Sequence, residues 1–123
     1  MNRILIVFFI SAILNLNFSL GPDIEFDNVK YNYGKVKVGS LINHTFNITN
    51  NGDQPLVLLK VVPSCGCSVA SFTKEPIKSG GKGEITVKFN SKYKPVGLNI
   101  KTFTVFSNSK NNPHTIYLKG ELL

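Results

Sequence analysis

The sequence predicts an all-β fold, a two-layer sandwich of about seven short strands behind an apolar N-terminal segment. Three observations predict it. Apolar residues recur at every second position in several windows, which is the period of a half-buried strand. Turn-forming residues separate those windows at intervals of roughly ten residues. No window sustains a helical period.

The first element is the leader. Arg3 supplies a positive start, and Ile4 to Leu14 is an apolar run broken only by Ser11. That length suits a secretory segment and is short for a membrane-spanning helix of about 20 residues. Residues 1–20 therefore read as a signal peptide or signal anchor, and residues 21–123 as one domain. Ser19 and Gly21 are the small residues nearest a cleavage point. No cysteine lies near that junction, which excludes a lipoprotein anchor. The protein is expected to be exported, to the periplasm, the outer cell surface or the medium.

The strands follow in order. Ile24 to Val38 alternates in stretches broken by Gly34 and Gly39. Ile42, His44, Phe46 and Ile48 then alternate with Asn43, Thr45, Asn47 and Thr49. Asn50-Asn51-Gly52-Asp53 makes a turn, since Asn and Gly accept positive φ cheaply. Leu56 to Val62 reads as a continuous strand interrupted by Lys60, and Pro63 ends or edges it. Val69 to Phe72 is a short continuation. Glu75-Pro76 and Ser79-Gly80-Gly81 mark a long turn. Ile85, Val87 and Phe89 form the next alternating strand. Phe103 and Val105 give another, closed by Ser107-Asn108. Ile116 and Leu118 give the last, ending at Gly120. Phe46, Leu58, Val87, Phe89, Phe103, Val105 and Leu118 occupy apolar phases and are the predicted core. With no tryptophan in the chain, the Cys…Trp…Cys centre of antibody domains is absent. The prediction is thus an immunoglobulin-like β-sandwich in the wider sense.

Composition narrows the partners. The 123-residue chain has a formal net charge of +7. Arg3 carries one of those units, which leaves +6 on residues 21–123, all of its positive charge from lysine. The lysines are spread from Lys30 to Lys119 without a dense run, and the absence of arginine removes bidentate phosphate forks. Nucleic acid is therefore not an expected partner. Protein or another envelope component is, and the membrane only through an uncleaved leader. Asn43-His-Thr and Asn47-Ile-Thr match a glycosylation sequon, but read better as outward polar residues of a strand.

Chemistry concentrates at Cys65-Gly66-Cys67. The acidic residues are scattered, and no nucleophile elbow, phosphate loop or dinucleotide fingerprint is present. No catalytic residue and no cofactor are expected. Residues i and i+2 of a strand share a face, with Cα atoms roughly 6.5 to 7 Å apart, the upper limit for a disulfide. Gly66 allows a closer approach. Three readings stay open. The cysteines are small apolar residues at a strand end beside Val61 and Val69, pointing inward. They form a local disulfide, as an oxidising compartment favours. Or they bind a soft metal through two thiolates. A closed zinc site wants four ligands, and the domain offers only His44 and His114 besides. His44 sits in the apolar phase of its strand, and His114 reads as an exposed turn residue. Lys60 and Lys74 are the candidate positive neighbours of the thiols.

A run of local features carries a resemblance. Tyr33-Gly34 precedes a strand with Phe46 and Asn50, and Gly52-Asp53-Gln54-Pro55-Leu56 follows. Then come Ser64-Cys65-Gly66-Cys67-Ser68, Lys74-Glu75-Pro76-Ile77, Gly80, Val87-x-Phe89, Ser107-Asn108 and Leu118-Lys119-Gly120. This order resembles a family of exported bacterial proteins of unknown function, frequent in Bacteroidetes (domain of unknown function 1573). It is distantly similar to domains of the Hydin and major-sperm-protein type. Ser68 stands where that family usually has Thr, and Ser79 where it has Pro. The resemblance implies an immunoglobulin-like fold and an address outside the cytoplasm, and it implies no established activity. The function expected is a non-catalytic binding or assembly module of the cell envelope. The alternatives are a redox-active or soft-metal protein built on Cys65 and Cys67, and a purely structural envelope domain.

Overall fold

A computed structural model describes residues 21–123. The predicted leader lies outside the described residues. The chain forms eight strands: β1 (Ile24–Phe26), β2 (Lys30–Val36), β3 (Leu41–Asn50), β4 (Leu58–Pro63), β5 (Ser68–Phe72), β6 (Lys82–Asn90), β7 (Gly97–Ser107) and β8 (His114–Leu122). They make two four-stranded sheets, ordered β1-β3-β6-β5 and β2-β8-β7-β4. The all-β immunoglobulin-like sandwich read from the sequence is the fold observed.

Period-two alternation sets the register. In the first sheet Ile42 faces Phe89, His44 faces Val87 and Phe46 faces Ile85. A shift of one residue would turn all of these to solvent. In the second sheet Val61 faces Val105, and Phe103 faces Ile116. The inner faces meet in a core led by Phe46, Phe89 and Phe103. All seven predicted core residues are buried in it.

The count of eight strands has a local cause. The stretch read as one alternating run is cut at Asp27 to Val29. Its first part, β1, pairs antiparallel with β3, and its second, β2, crosses to pair parallel with β8. Gly34, at φ +76°, allows the register shift within β2 by adopting the left-handed region that other residues avoid. Two further boundaries differ from the expectation. Leu56 makes an isolated bridge to Ile77, so β4 starts at Leu58. The last strand continues past Gly120 to Leu122, because Glu121 and Leu122 still pair with Leu98 and Gly97. Pro63 closes β4, an edge strand, where its missing N–H deprives no ladder partner.

The registers define two ends. Gly21 enters beside the turn after β3, where its N–H donates to Asp53 Oδ1 at 2.7 Å and its carbonyl accepts from Asp53 N–H. This is the junction end. At the other, crossover end, residues 64–67 carry the chain from β4 in one sheet to β5 in the other. The β2–β3 and β6–β7 turns and the C-terminal residue gather there too, for Ser91 N–H donates to the Ser40 carbonyl and Val38 N–H to that of Leu123.

Candidate functional site

Cys65 and Cys67 lie in the crossover turn between β4 and β5, not at a strand end as expected. The turn brings their Cα atoms to 5.3 Å, with the two Sγ atoms in bonding contact. The extended form would have kept the pair at the upper limit of that geometry. Neither residue is fully buried. Cys67 packs against the hydrophobic core, and its backbone N–H donates to Cys65 Sγ at 3.0 Å. Gly66, between them, is exposed. Val69, expected to share an inward pocket with the cysteines, points outward and is 61% exposed. It is the odd member of a strand whose inner phase is Ser68, Ala70 and Phe72.

The positive neighbours are also different. Lys60 lies over the Phe106 ring at 4.7 Å and Lys74 over Phe72 at 3.4 Å, so both ammonium groups are engaged by aromatic faces. The lysine that the fold does bring toward the crossover is Lys101. Ser64 pairs with its neighbour, Thr102: Ser64 N–H donates to the Thr102 carbonyl at 2.9 Å, and Thr102 N–H to Ser64 Oγ at 3.1 Å. Lys101 faces inward opposite Leu118 and places its Nζ 5.4 Å from the Phe89 ring. Phe89 in turn faces Ser68, the residue after Cys67. The Lys101 side chain thus reaches from β7 of one sheet to Phe89 on β6 of the other. Burial there, with Lys94 as a second cause, holds it below the ordinary lysine range.

The histidines do not join the cysteines. His44 stacks on Tyr31 at 3.8 Å and meets Phe46 edge-on at 4.7 Å. Burial among these rings lowers its affinity for a proton. His114 is not an exposed turn residue. It begins β8 at the junction end, half-buried against Phe26 at 5.4 Å, with Nδ1 buried and without a protein partner. Among the described residues no group of three or more His, Cys, Asp or Glu converges on one point.

A feature that sequence reasoning missed surrounds the crossover. Ten large apolar side chains are exposed among the described residues. Eight belong to this half of the sandwich: Leu41, Val62, Val69, Tyr93, Val96, Leu98, Ile100 and Leu123. Only Val29 and Leu59 belong to the other half. Leu98 and Ile100 sit on the outer face of β7, Leu41 and Val69 on the outer face of the opposite sheet. Tyr93 is the tip, 88% exposed. Its φ is +64°, a region that bulky residues seldom occupy. The turn beneath it is fixed by Ser91, which is fully buried. Ser91 Oγ donates to the Ser40 carbonyl at 2.7 Å and accepts from Gly39 N–H at 3.0 Å. Lys92 and Lys94 flank the tyrosine. The tip of this feature, residues 91 to 96, shows no periodicity; the available signal was four large apolar residues, Tyr93, Val96, Leu98 and Ile100, in and just after a Lys- and Pro-containing loop.

Known structures share the fold. A crystal structure of a protein of unknown function from Porphyromonas gingivalis superposes with a TM-score of 0.71 at 18% identity, over 89% of this chain and 50% of that one. The PapD-like domain 7 of human CEP192, an ASH domain, gives a TM-score of 0.61 at 12% identity, over 89% and 91%. The secreted serine protease VesC of Vibrio cholerae gives 0.59 at 18%, over 85% of this chain and 23% of the protease. The chain thus spans half of the Porphyromonas protein and under a quarter of VesC. No curated protein matches the sequence. The sequence model of the family described as "Protein of unknown function (DUF1573)" matches residues 24–122. That match takes in every strand but the first and last residues of the domain, and on it the chain belongs to the DUF1573 family.

Proposed function

We propose that the domain is a non-catalytic binding or assembly module of the cell envelope that meets its partner through the crossover end. One observation carries the reading: eight of ten exposed large apolar residues gather at that end. Scattered surface apolar residues need no explanation; here they are biased to one end, and Tyr93, Val96, Leu98 and Ile100 follow one another along the chain there, as at an interaction site. Tyr93 strengthens it. Exposed tyrosines supply large contact area at low entropic cost, and this one is held in a disfavoured backbone region over a rigid base. Backbone strain of that kind concentrates where function requires it. The envelope address rests on the apolar leader.

The test is affinity capture from native envelopes. An epitope placed at Asn111, in the exposed β7–β8 turn of the junction end, leaves the crossover end free. Tyr93→Ser with Leu98→Ser should abolish capture of the partner. Val29→Ser with Leu59→Ser should leave it intact. Equal capture by both variants would remove the surface assignment. Absence of any specific partner would leave a plain structural domain of the envelope.

A further inference from the structure

We infer that Cys65 and Cys67 form a thiol–disulfide exchange centre in which Cys65 is the attacking sulfur and Cys67 the resolving one. The inference goes beyond the binding reading, which assigns the cysteines no chemistry. It takes from that reading only that a protein partner would dock beside the pair.

The asymmetry of the two positions carries the assignment. The Cys67 N–H points at Cys65 Sγ at 3.0 Å, and a donor aimed at sulfur favours its anionic form. Cys67 has no backbone donor of this kind; its side chain contacts the core, and its polar contact is the longer one to the Ser68 hydroxyl at 3.9 Å, in which either group can donate. A thiolate is the nucleophile in exchange, and a sulfur held against apolar groups is the poorer one. The turn keeps the two Cα atoms 5.3 Å apart, so the second sulfur is in reach once the first has reacted. The apex of the turn is open, since nothing beyond its two chain neighbours lies within 4 Å of where a Gly66 side chain would begin, and Cys65 is only half-buried. The candidate source of positive potential is Lys101, which precedes the Thr102 that bonds Ser64 and whose ammonium lies over Phe89, the residue opposite Ser68.

The exchange balances without a metal or cofactor. In the reduced dithiol, the Cys65 thiolate attacks a disulfide of the partner. A Cys65–partner disulfide forms, and one partner thiolate leaves and takes up a proton. Cys67 then loses its proton and attacks Cys65 Sγ. The Cys65–Cys67 bond forms, and the second partner thiolate departs. Two electrons pass from the domain to the partner's disulfide, once per domain, and an external thiol couple reverses the step.

The experiment uses the full chain, reduced, with glutathione disulfide as the probe and intact-mass spectrometry as the readout. Cys67→Ser should accumulate one glutathione per chain, on Cys65. Cys65→Ser should react at least 10-fold more slowly. The unmodified chain should pass to the internal disulfide with little adduct. Lys101→Gln should slow adduct formation in the Cys67→Ser background several-fold, and Lys101→Arg should restore it. Tyr93→Ser with Leu98→Ser should leave all these rates unchanged, which separates failure of the exchange centre from failure of the binding surface. Equal rates for the two cysteine variants, or a faster Cys65→Ser, would overturn the assignment. So would two thiols that do not react while denatured protein does. The double variant Cys65→Ser, Cys67→Ser should keep its β-type circular dichroism, because a link across one glycine restricts the unfolded chain little.

Discussion

At the junction end, polar side chains are turned on the protein itself. Asn50 is fully buried. Its Nδ2 donates to the carbonyls of Gln54 at 2.7 Å and Ile77 at 2.9 Å, while Oδ1 accepts from the N–H groups of Gly52 and Asp23. Asn108 does the same nearby, accepting from Val57 N–H at 2.8 Å and donating to the Pro55 carbonyl at 3.1 Å. Gly52 sits so close to the main chain of Gly21 and Pro22 that a β-carbon there would collide with it. At the crossover end, large side chains are turned outward instead. Tyr93, Val96 and Leu98 lie in solvent. The difference teaches how one sandwich divides its labour. Side-chain hydrogen bonding to the main chain is concentrated where the chain enters, and exposed apolar surface where the loops gather.

The largest expected effect tests the first half of that division. Asn50→Ala removes four hydrogen bonds, two buried and two part-buried, and leaves the buried Gly52 N–H without its partner. Each such group costs roughly 1 to 3 kcal/mol, so a loss of about 3 to 5 kcal/mol is expected in urea unfolding. A loss under about 1 kcal/mol would show that the junction end is not the staple described.

How much of this was legible in the sequence differs between the two ends for a physical reason. Phe46, Val87 and Phe89 were readable as core because alternation is local and a half-buried strand must show it. A turn after β3 was readable from Asn50 to Asp53, but its reason was not: neither Asn50 nor Gly52 takes a positive φ, and Asn50 acts through its side chain while Gly52 admits the main chain of Gly21 and Pro22. The crossing of β1 and β2 was not readable, since alternation says which face of a strand is buried and never which sheet it joins. Lys101 was missed for a related reason: its approach to Phe89, opposite Ser68, depends on β4–β7 and β5–β6 pairing, and both are non-local. Tyr93 was missed because an exposed apolar residue in a loop obeys no period, and Leu98 because it stands in the outward phase of β7, where a polar residue is the expectation. The Cys-Gly-Cys run stood out as a sequence, but its turn conformation and the donor on Cys65 came only with the fold.

A smaller effect is expected from the hinge between the two regimes. Ser91 is the one residue of the crossover end that behaves like Asn50, buried and doubly hydrogen-bonded. Ser91→Ala should cost about 1 to 2 kcal/mol, a typical figure for an unmade buried bond. It should also raise amide exchange from Lys92 to Val96, because the base of the Tyr93 turn is gone. Exchange confined to the junction end would contradict this.

The smallest effect has the opposite sign, and it separates the two ends most sharply. Tyr93 contributes nothing to the core at 88% exposure, and its backbone stands at φ +64°. Left-handed geometry costs a residue with a β-carbon about 1 to 2 kcal/mol, and glycine escapes that penalty. Glycine also gives back some stability by widening the unfolded ensemble, by about 0.4 to 1 kcal/mol. Tyr93→Gly should therefore be neutral or stabilise the domain by up to about 1 kcal/mol, read as a small rise in the urea midpoint at constant slope. Partner capture by the same variant should fall, although nothing in the fold has weakened. A destabilised Tyr93→Gly would mean that the ring packs on the protein and is not held out for a partner. A stable variant with undiminished capture would move the contact surface away from the tip. Gain of stability with loss of binding is the outcome that a surface maintained for contact requires, since a residue kept for folding would show the reverse.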